Sequence, residues 1–362
     1  MEDGLRQSPL HEAHVAAGAR MVPFAGWNMP VQYQGIIPEC EAVRENLGVF
    51  DISHMGQIVV GSHEPLAAVE WLDSVLTNNV STLKAGEGQY SFLLNHDGGV
   101  IDDLIIYRTS YSEFLLVVNA SRTQQDFDWL TEQLPDAGII MADRSNAFAG
   151  LAVQGPGTEE ACRKLFPEGT TLPDRFCMAM EAVHGGEVIV CRTGYTGEDG
   201  VELFCPVENA DRWWNRVIEA GATPCGLGAR DSLRLEKCYP LNGSDLTPAH
   251  TPLEAGMGFA VDLNKPSFIG RDVLAAQKSD GMTRRLVAIR QTEKSPPPRP
   301  GYEVFCKDEQ VGTVCSGGAS PTLKCGISLA WVQTGAHKTG TAVELEIRGR
   351  RFPGEIVRKP FV

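Results

Sequence analysis

The stretch Gln89-Tyr90-Ser91-Phe92-Leu93-Leu94-Asn95-His96-Asp97-Gly98-Gly99-Val100-Ile101-Asp102-Asp103-Leu104-Ile105-Ile106-Tyr107-Arg108 falls into three parts. Two β-rich runs, Gln89–Leu94 and Val100–Arg108, flank a cluster of turn formers. Asp-Gly and Gly-Gly there supply the positive φ angles that a tight reversal requires, so the spacing predicts a hairpin. Phe114–Asn119 reads as a further strand and Gln124–Leu134 as a helix. The same grammar recurs at Cys177–Val183, His184-Gly185-Gly186 and Glu187–Arg192, then a strand over Val201–Cys205 and a helix over Ala210–Ile218. Two units of similar order, hairpin then strand then helix, point to an internal duplication.

Upstream, Pro38–Leu47 predicts a helix with Pro at its first position and Gly48 past its end. Phe50–Val60 reads as one extended run. Pro65–Leu76 places Leu66, Val69, Leu72, Val75 and Leu76 at helical spacing. Downstream of a linker near Gln277–Met282, short strands alternate with turn residues at Arg285–Ile289, Tyr302–Phe305, Val311–Ser316, Gly326–Trp331, Ala342–Ile347 and Gly354–Arg358. That rhythm predicts a small β-barrel or sandwich. Ser295-Pro296-Pro297-Pro298-Arg299-Pro300 forms a stiff surface loop between two of its strands. The expected fold class is α+β: two related units, 1–145 and 146–278, and a C-terminal β-barrel, 279–362.

Of the 362 residues, 43% are hydrophobic and 22% charged, a globular composition too long for one core. No run approaches the roughly 20 apolar residues of a membrane helix. The opening Met1-Glu2-Asp3-Gly4 has neither an apolar signal core nor an Arg-rich transit character, so a cytoplasmic, prokaryotic protein is expected. The ten cysteines are scattered singly with no Cys-x-x-Cys pair, and read as core hydrophobes of a reducing compartment. Residues 281–362 hold 13 Lys/Arg against 7 Asp/Glu, whereas the rest holds 19 against 39. So acidic a body argues against a nucleic-acid partner, because phosphates would be repelled. The basic segment is either a solvated face or an attractor of an acidic protein or polyanionic tail.

Signatures of serine hydrolases, P-loop nucleotide enzymes, zinc proteases and dinucleotide enzymes are absent. His11 and His14 read as a solvent-facing pair, and no metal is expected. Three polar segments interrupt apolar strands instead. In Asp102-Asp103, alternation turns one carboxylate toward the core, where it needs a partner or a raised pKa. Either that carboxylate handles protons or stabilises a cation, or both cap the hairpin in solvent. In Arg192-Thr193-Gly194-Tyr195-Thr196-Gly197-Glu198-Asp199-Gly200-Val201-Glu202-Leu203, the glycines let backbone approach a ligand and Tyr195 offers a stacking face. Glu202 can accept two parallel donors, such as the N–H and amino group of a pterin. The plainer alternative is a connecting turn with a surface Glu. In Cys225-Gly226-Leu227-Gly228-Ala229-Arg230-Asp231-Ser232-Leu233-Arg234-Leu235-Glu236, Arg230 and Arg234 share a helix face, to hold an anion or to pair with neighbouring carboxylates.

Together these segments resemble the glycine-cleavage T-protein family in order, spacing and wording. So do Phe24-Ala25-Gly26-Trp27-Asn28-Met29-Pro30, Phe50-Asp51-Ile52-Ser53-His54-Met55-Gly56 and Asn264-Lys265-Pro266-Ser267-Phe268-Ile269-Gly270. The likeness runs from about residue 8 to 361. It implies a three-domain cloverleaf around a folate site, ending in a β-barrel. It implies transfer of the carbon of an aminomethyl group from the lipoyl arm of H protein to tetrahydrofolate, with release of ammonia. By motif, the essential carboxylate falls on Asp103. Glu202 and Arg230 fall on folate-contacting positions, with Tyr90, Asn119, Tyr195 and Tyr239 as pocket members. The chain departs from the family at Lys359-Pro360-Phe361-Val362, where relatives run further toward the folate site. A folate-dependent demethylase and a non-catalytic folate-binding protein are the competing readings. The intact second and third segments, and the lack of a Gly-Cys-Tyr motif, favour the T-protein family.

Overall fold

The computed structural model describes residues 4–135, 138–183 and 186–362. They fall into two compact units, one of residues 1–75, 79–91 and 104–230, the other of 76–78, 92–103 and 231–362. A three-stranded sheet comes first: β1 (Arg6–Gln7), α1 (His11–Ala16), β2 (Arg20–Phe24) and β3 (Trp27–Gln32). Next come α2 (Ile36–Glu45), β4 (Gly48–Asp51), β5 (Gly56–Ser62), α3 (Pro65–Val75), β6 (Gly88–Leu94), β7 (Val100–Arg108), β8 (Glu113–Val118), α4 (Thr123–Glu132) and β9 (Ile139–Asp143). Strands β6-β7-β8-β5-β9 form a five-stranded sheet. Then follow β10 (Phe148–Gln154), α5 (Thr158–Leu165), β11 (Met178–Val183), β12 (Gly186–Cys191), β13 (Gly200–Pro206), α6 (Ala210–Glu219) and β14 (Thr223–Pro224). Their sheet has the order β11-β12-β13-β10-β4-β14.

The duplication is visible in this topology. Strand, helix, three-strand meander, helix, strand occurs once from β5 to β9 and again from β10 to β14. Both sheets carry the same four-strand order, β6-β7-β8-β5 and β11-β12-β13-β10. The turn of the second hairpin, at His184-Gly185, lies outside the described residues. After α7 (Leu227–Glu236) and α8 (Arg271–Asp280), six strands close a barrel: β15 (Arg284–Gln291), β16 (Glu303–Cys306), β17 (Glu309–Ala319), β18 (Gly326–Gln333), β19 (Ala342–Ile347) and β20 (Arg350–Val357). Closure removes the edges that an open sheet of such short strands would expose. The mixed α+β class and the barrel are as the sequence predicts.

On β10 and β13, alternate residues Leu151, Val153, Val201, Leu203 and Cys205 join Trp213, Trp214 and Val217 of α6 in one buried cluster. Each Val or Leu so buried contributes about 1.5–3 kcal/mol. Alternation sends their neighbours Ala152 and Glu202 to the opposite face of the sheet.

Four expectations are corrected. The run Phe50–Val60 is two strands in two sheets, because the Asp51 carboxylate accepts the Ser53 N–H at 2.8 Å and turns the chain. The helix expected from Pro38 starts at Ile36, after Gly35 at φ 127°. The linker expected at Gln277–Met282 is largely the end of α8, which buries Leu274 and stops at Gly281, φ 93°. His14 is not solvent-facing: it is wholly buried. Its Nε2 lies 2.8 Å from Asp51 Oδ2 and its Nδ1 2.9 Å from the Tyr33 hydroxyl, while Ser8 donates to the same carboxylate.

Candidate active site

Glu202 lies mid-strand on β13, between Ala152 of β10 and Cys191 of β12. Its side chain is half-buried. Burial raises the carboxyl pKa, against the pull of the Thr193 hydroxyl and the Arg230 charge, which favour the anion. Thr193 Oγ1 donates to Glu202 Oε2 at 2.6 Å. With that proton committed, the buried Tyr107 hydroxyl is the donor across its 2.8 Å contact with Thr193. Burial holds the Tyr107 phenol and the adjoining Cys191 thiol well above their usual ranges, so both stay neutral. No hydrogen bond engages Glu202 Oε1 among the described residues. The result is an anchored carboxylate with one acceptor oxygen to spare.

Arg230 stands in the first turn of α7, its guanidinium carbon 4.6 Å from the centre of the Tyr195 ring. That stacking orients the cation. His54 is buried, and its Nδ1 has no hydrogen-bond partner among the described residues. Burial, and then the Arg230 charge, push its pKa down to about 4, so the imidazole is neutral at pH 7. Glu202, Arg230 and Tyr195 thus fall in one compact unit with Tyr107, Thr193 and His54 around them.

The glycines of the 192–203 segment serve a different purpose from the one expected. A Cβ on Gly194 would lie 1.8 Å from Gln154 Oε1, and one on Gly200 would lie 2.1 Å from Gln154 Nε2. The room they leave is filled by that wholly buried amide, which donates to the Thr193 carbonyl and accepts from the Thr196 hydroxyl. Gly194 and Gly200 hold the loop against the protein itself.

Asp102 is wholly buried and Asp103 half-buried on β7. Asp103 shares its strand face with Ile105 and Tyr107. Tyr90 on β6, Asn119 after β8 and Tyr239 after α7 are each half-buried. Asp103 and Tyr239 belong to the second compact unit, Tyr90 and Asn119 to the first. Arg234, read as able to hold an anion or to pair with neighbouring carboxylates, does the latter, and Glu236 is structural as well. Arg234 is buried and donates to Asp231, Asp245 and Ser316 at 2.7–2.8 Å. Buried Glu236 accepts from Ser320 and Thr322. Sequence reasoning missed Tyr107, Thr193 and Gln154. The available signal for Tyr107 was its place four residues beyond Asp103 on the same face of the strand.

Residues 10–265 match the GCVT N-terminal domain, and residues 284–362 match the glycine cleavage T-protein C-terminal barrel domain. The chain belongs to the glycine cleavage T-protein family. An aminomethyltransferase of Geobacillus kaustophilus is 44% identical over 99% of this chain and 98% of its own. One from Symbiobacterium thermophilum is 43% identical over 100% and 98%. The crystal structure of glycine cleavage system aminomethyltransferase T from Bartonella henselae matches with a TM-score of 0.92 at 33% identity, covering 99% of this chain and 98% of that one. The activity is therefore aminomethyl transfer in glycine cleavage, and the architecture is that of the T-protein family. Among the described residues, no group of His, Cys, Asp or Glu is placed to hold a metal, and no helix is long and apolar enough to cross a membrane.

Proposed function

We propose that tetrahydrofolate accepts the carbon, that the aminomethyl donor is the lipoyl arm of H protein, and that Asp103 is the catalytic carboxylate. Within this reading the chain is organised as 1–145, 146–278 and 279–362, and it works in the cytoplasm. The observation that carries the reading is Glu202. A carboxylate anchored through Oε2, with Oε1 open and burial favouring strong acceptance, fits the paired N–H donors of a reduced pterin. Arg230, oriented on Tyr195, adds a fixed cation for the electron-rich edge of the same ring or its carboxylate tail. Tyr90, Asn119 and Tyr239 are assigned to folate binding.

As ammonia leaves the thio-aminomethyl group, positive charge develops on the transferred carbon. Asp103 stabilises that charge, orients the attacking nitrogen and takes the proton it loses. The deciding assay is ammonia release from aminomethyl-loaded H protein with and without tetrahydrofolate; release that ignores folate would refute the reading. Asp103→Asn should bind folate yet lose more than about tenfold in turnover, a barrier of about 1.4 kcal/mol. Glu202→Ala should weaken folate binding by calorimetry while leaving Asp103 in place.

A further inference from the structure

β8 pairs with β7 over Ile105–Arg108, beyond the residues that carry Asp102 and Asp103. On its other edge β7 pairs with β6, and a third element also holds its start. The Val100 N–H donates to the His250 carbonyl at 2.9 Å, and Asn242 Nδ2 donates to the Ile101 carbonyl at 3.3 Å. The preceding turn is locked to the same segment. Asn95 Nδ2 donates to the Pro248 carbonyl at 3.1 Å, and a Cβ on Gly99 would fall 1.8 Å from the Pro248 oxygen. Gly99 is therefore required for close approach between the two backbones.

The segment that makes these contacts is itself rigidly built. Asp245 Oδ2 accepts the Leu241 N–H at 2.8 Å and the buried Arg234 guanidinium at 2.7 Å. Trp331 of the barrel donates its indole N–H to the Asp245 carbonyl at 3.1 Å and stacks on His250, ring centres 4.1 Å apart and planes 4° apart. His250 Nδ1 is satisfied by the Thr247 hydroxyl at 2.8 Å. All these residues lie in the same compact unit as Asp103. A chain of contacts thus runs from the buried ion pair through Leu241–His250 to the peptide two residues before the carboxylate.

We infer that the segment Leu241–His250 is the positioning element for Asp103, and that Asn242, buried and bonded to the Ile101 carbonyl, is its positioning residue. This rests on Asp103 being the catalytic carboxylate. A reacting group displaced by about 1 Å loses on the order of a hundredfold in rate, so the tie at the Ile101 carbonyl, two residues from Asp103, is a sensitive control point. Asn242 acts through Asp103.

The test is a double-mutant cycle on ammonia release at saturating and limiting tetrahydrofolate. Asn242→Ala, and the isosteric Asn242→Asp that replaces the donor with an acceptor, should each lower kcat by about tenfold or more with KM for folate within about twofold. Asn242→Gln, which keeps an amide N–H, should recover part of the loss. In an Asp103→Asn background, Asn242→Ala should change the residual rate by less than about threefold, because the residue it positions is already disabled. Equal losses in both backgrounds, or a kcat near that of the parent, would overturn the inference. An Asp103→Asn enzyme as active as the parent would instead overturn the assignment of Asp103. The two failures are therefore distinguishable. Should one Asn242 variant not fold, the other carries the cycle.

Discussion

Glu202 is held in the fold at a cost in stability. It interrupts the apolar strand Val201-Glu202-Leu203-Phe204, and burial raises its pKa more than Thr193 and Arg230 lower it. A carboxyl whose folded pKa exceeds its unfolded value holds a proton more tightly when folded. Stability is then gained as pH falls through the folded value, and is lost again as pH rises. Glu202→Gln removes the charge and keeps the shape. The variant should melt higher than the parent at pH 7, with the gap closing as acid titrates the parent's carboxyl, while folate affinity falls. Calorimetric melts at several pH values check the first half, and titration with tetrahydrofolate the second. A variant that melts lower at neutral pH would contradict the assigned direction.

At the scale of elements, the loop between β12 and β13 is defined by what lies beneath it. Gly194 and Gly200 close on opposite ends of the Gln154 amide, so the loop has no room for a side chain at these two positions. Gly194→Ala should cost about 1–3 kcal/mol, the usual penalty of overpacking, measured by urea unfolding. Combined with Gln154→Ala, which empties the space the new methyl would enter, the loss should be less than additive. Additive losses would mean that the amide is not the obstacle. The two hairpins were legible because turn chemistry and alternation are local properties. The break between β4 and β5 was not. It depends on Asp51 turning its side chain back onto the Ser53 N–H, and Phe50–Val60 read only as an extended run.

Over the whole molecule, contacts distant in sequence tie the ends of elements together. The network of Ser8, His14, Tyr33, Asp51 and Ser53 joins α1 and the segment after β3 to β4. Burial alone would raise the Asp51 pKa, but the hydrogen bonds and charge of His14, with Ser53 and Ser8, bring it below its usual 3.8. A carboxylate depressed in this way contributes stability that is fully present above the unfolded value and is lost as pH falls through the folded one. Asp51→Asn leaves His14 with a weaker partner, and breaking such a buried pair costs about 3–5 kcal/mol. The variant should therefore unfold at lower urea at pH 7, and the difference should shrink as pH drops below 3.8. A constant difference across that range would argue that the carboxylate is not ionised in the fold. The ten thiols fit the same picture, since six are buried and none is bonded to another.

The sequence by itself determined the repeated hairpin with the strand and helix that follow it, the barrel and the motifs that carry the family likeness. These follow from local turn chemistry, side-chain periodicity and runs of residues quoted in a fixed order. Tertiary structure alone decided that Asp102 rather than Asp103 is the buried carboxylate, because alternation defines two faces without saying which one is covered. It alone showed that Arg234 and Glu236 are structural, that His14 is part of the core, and that Gln154 sets the need for glycine at 194 and 200. Each of those outcomes depends on partners tens of residues or more away, and burial is a property of the assembled fold rather than of any single stretch.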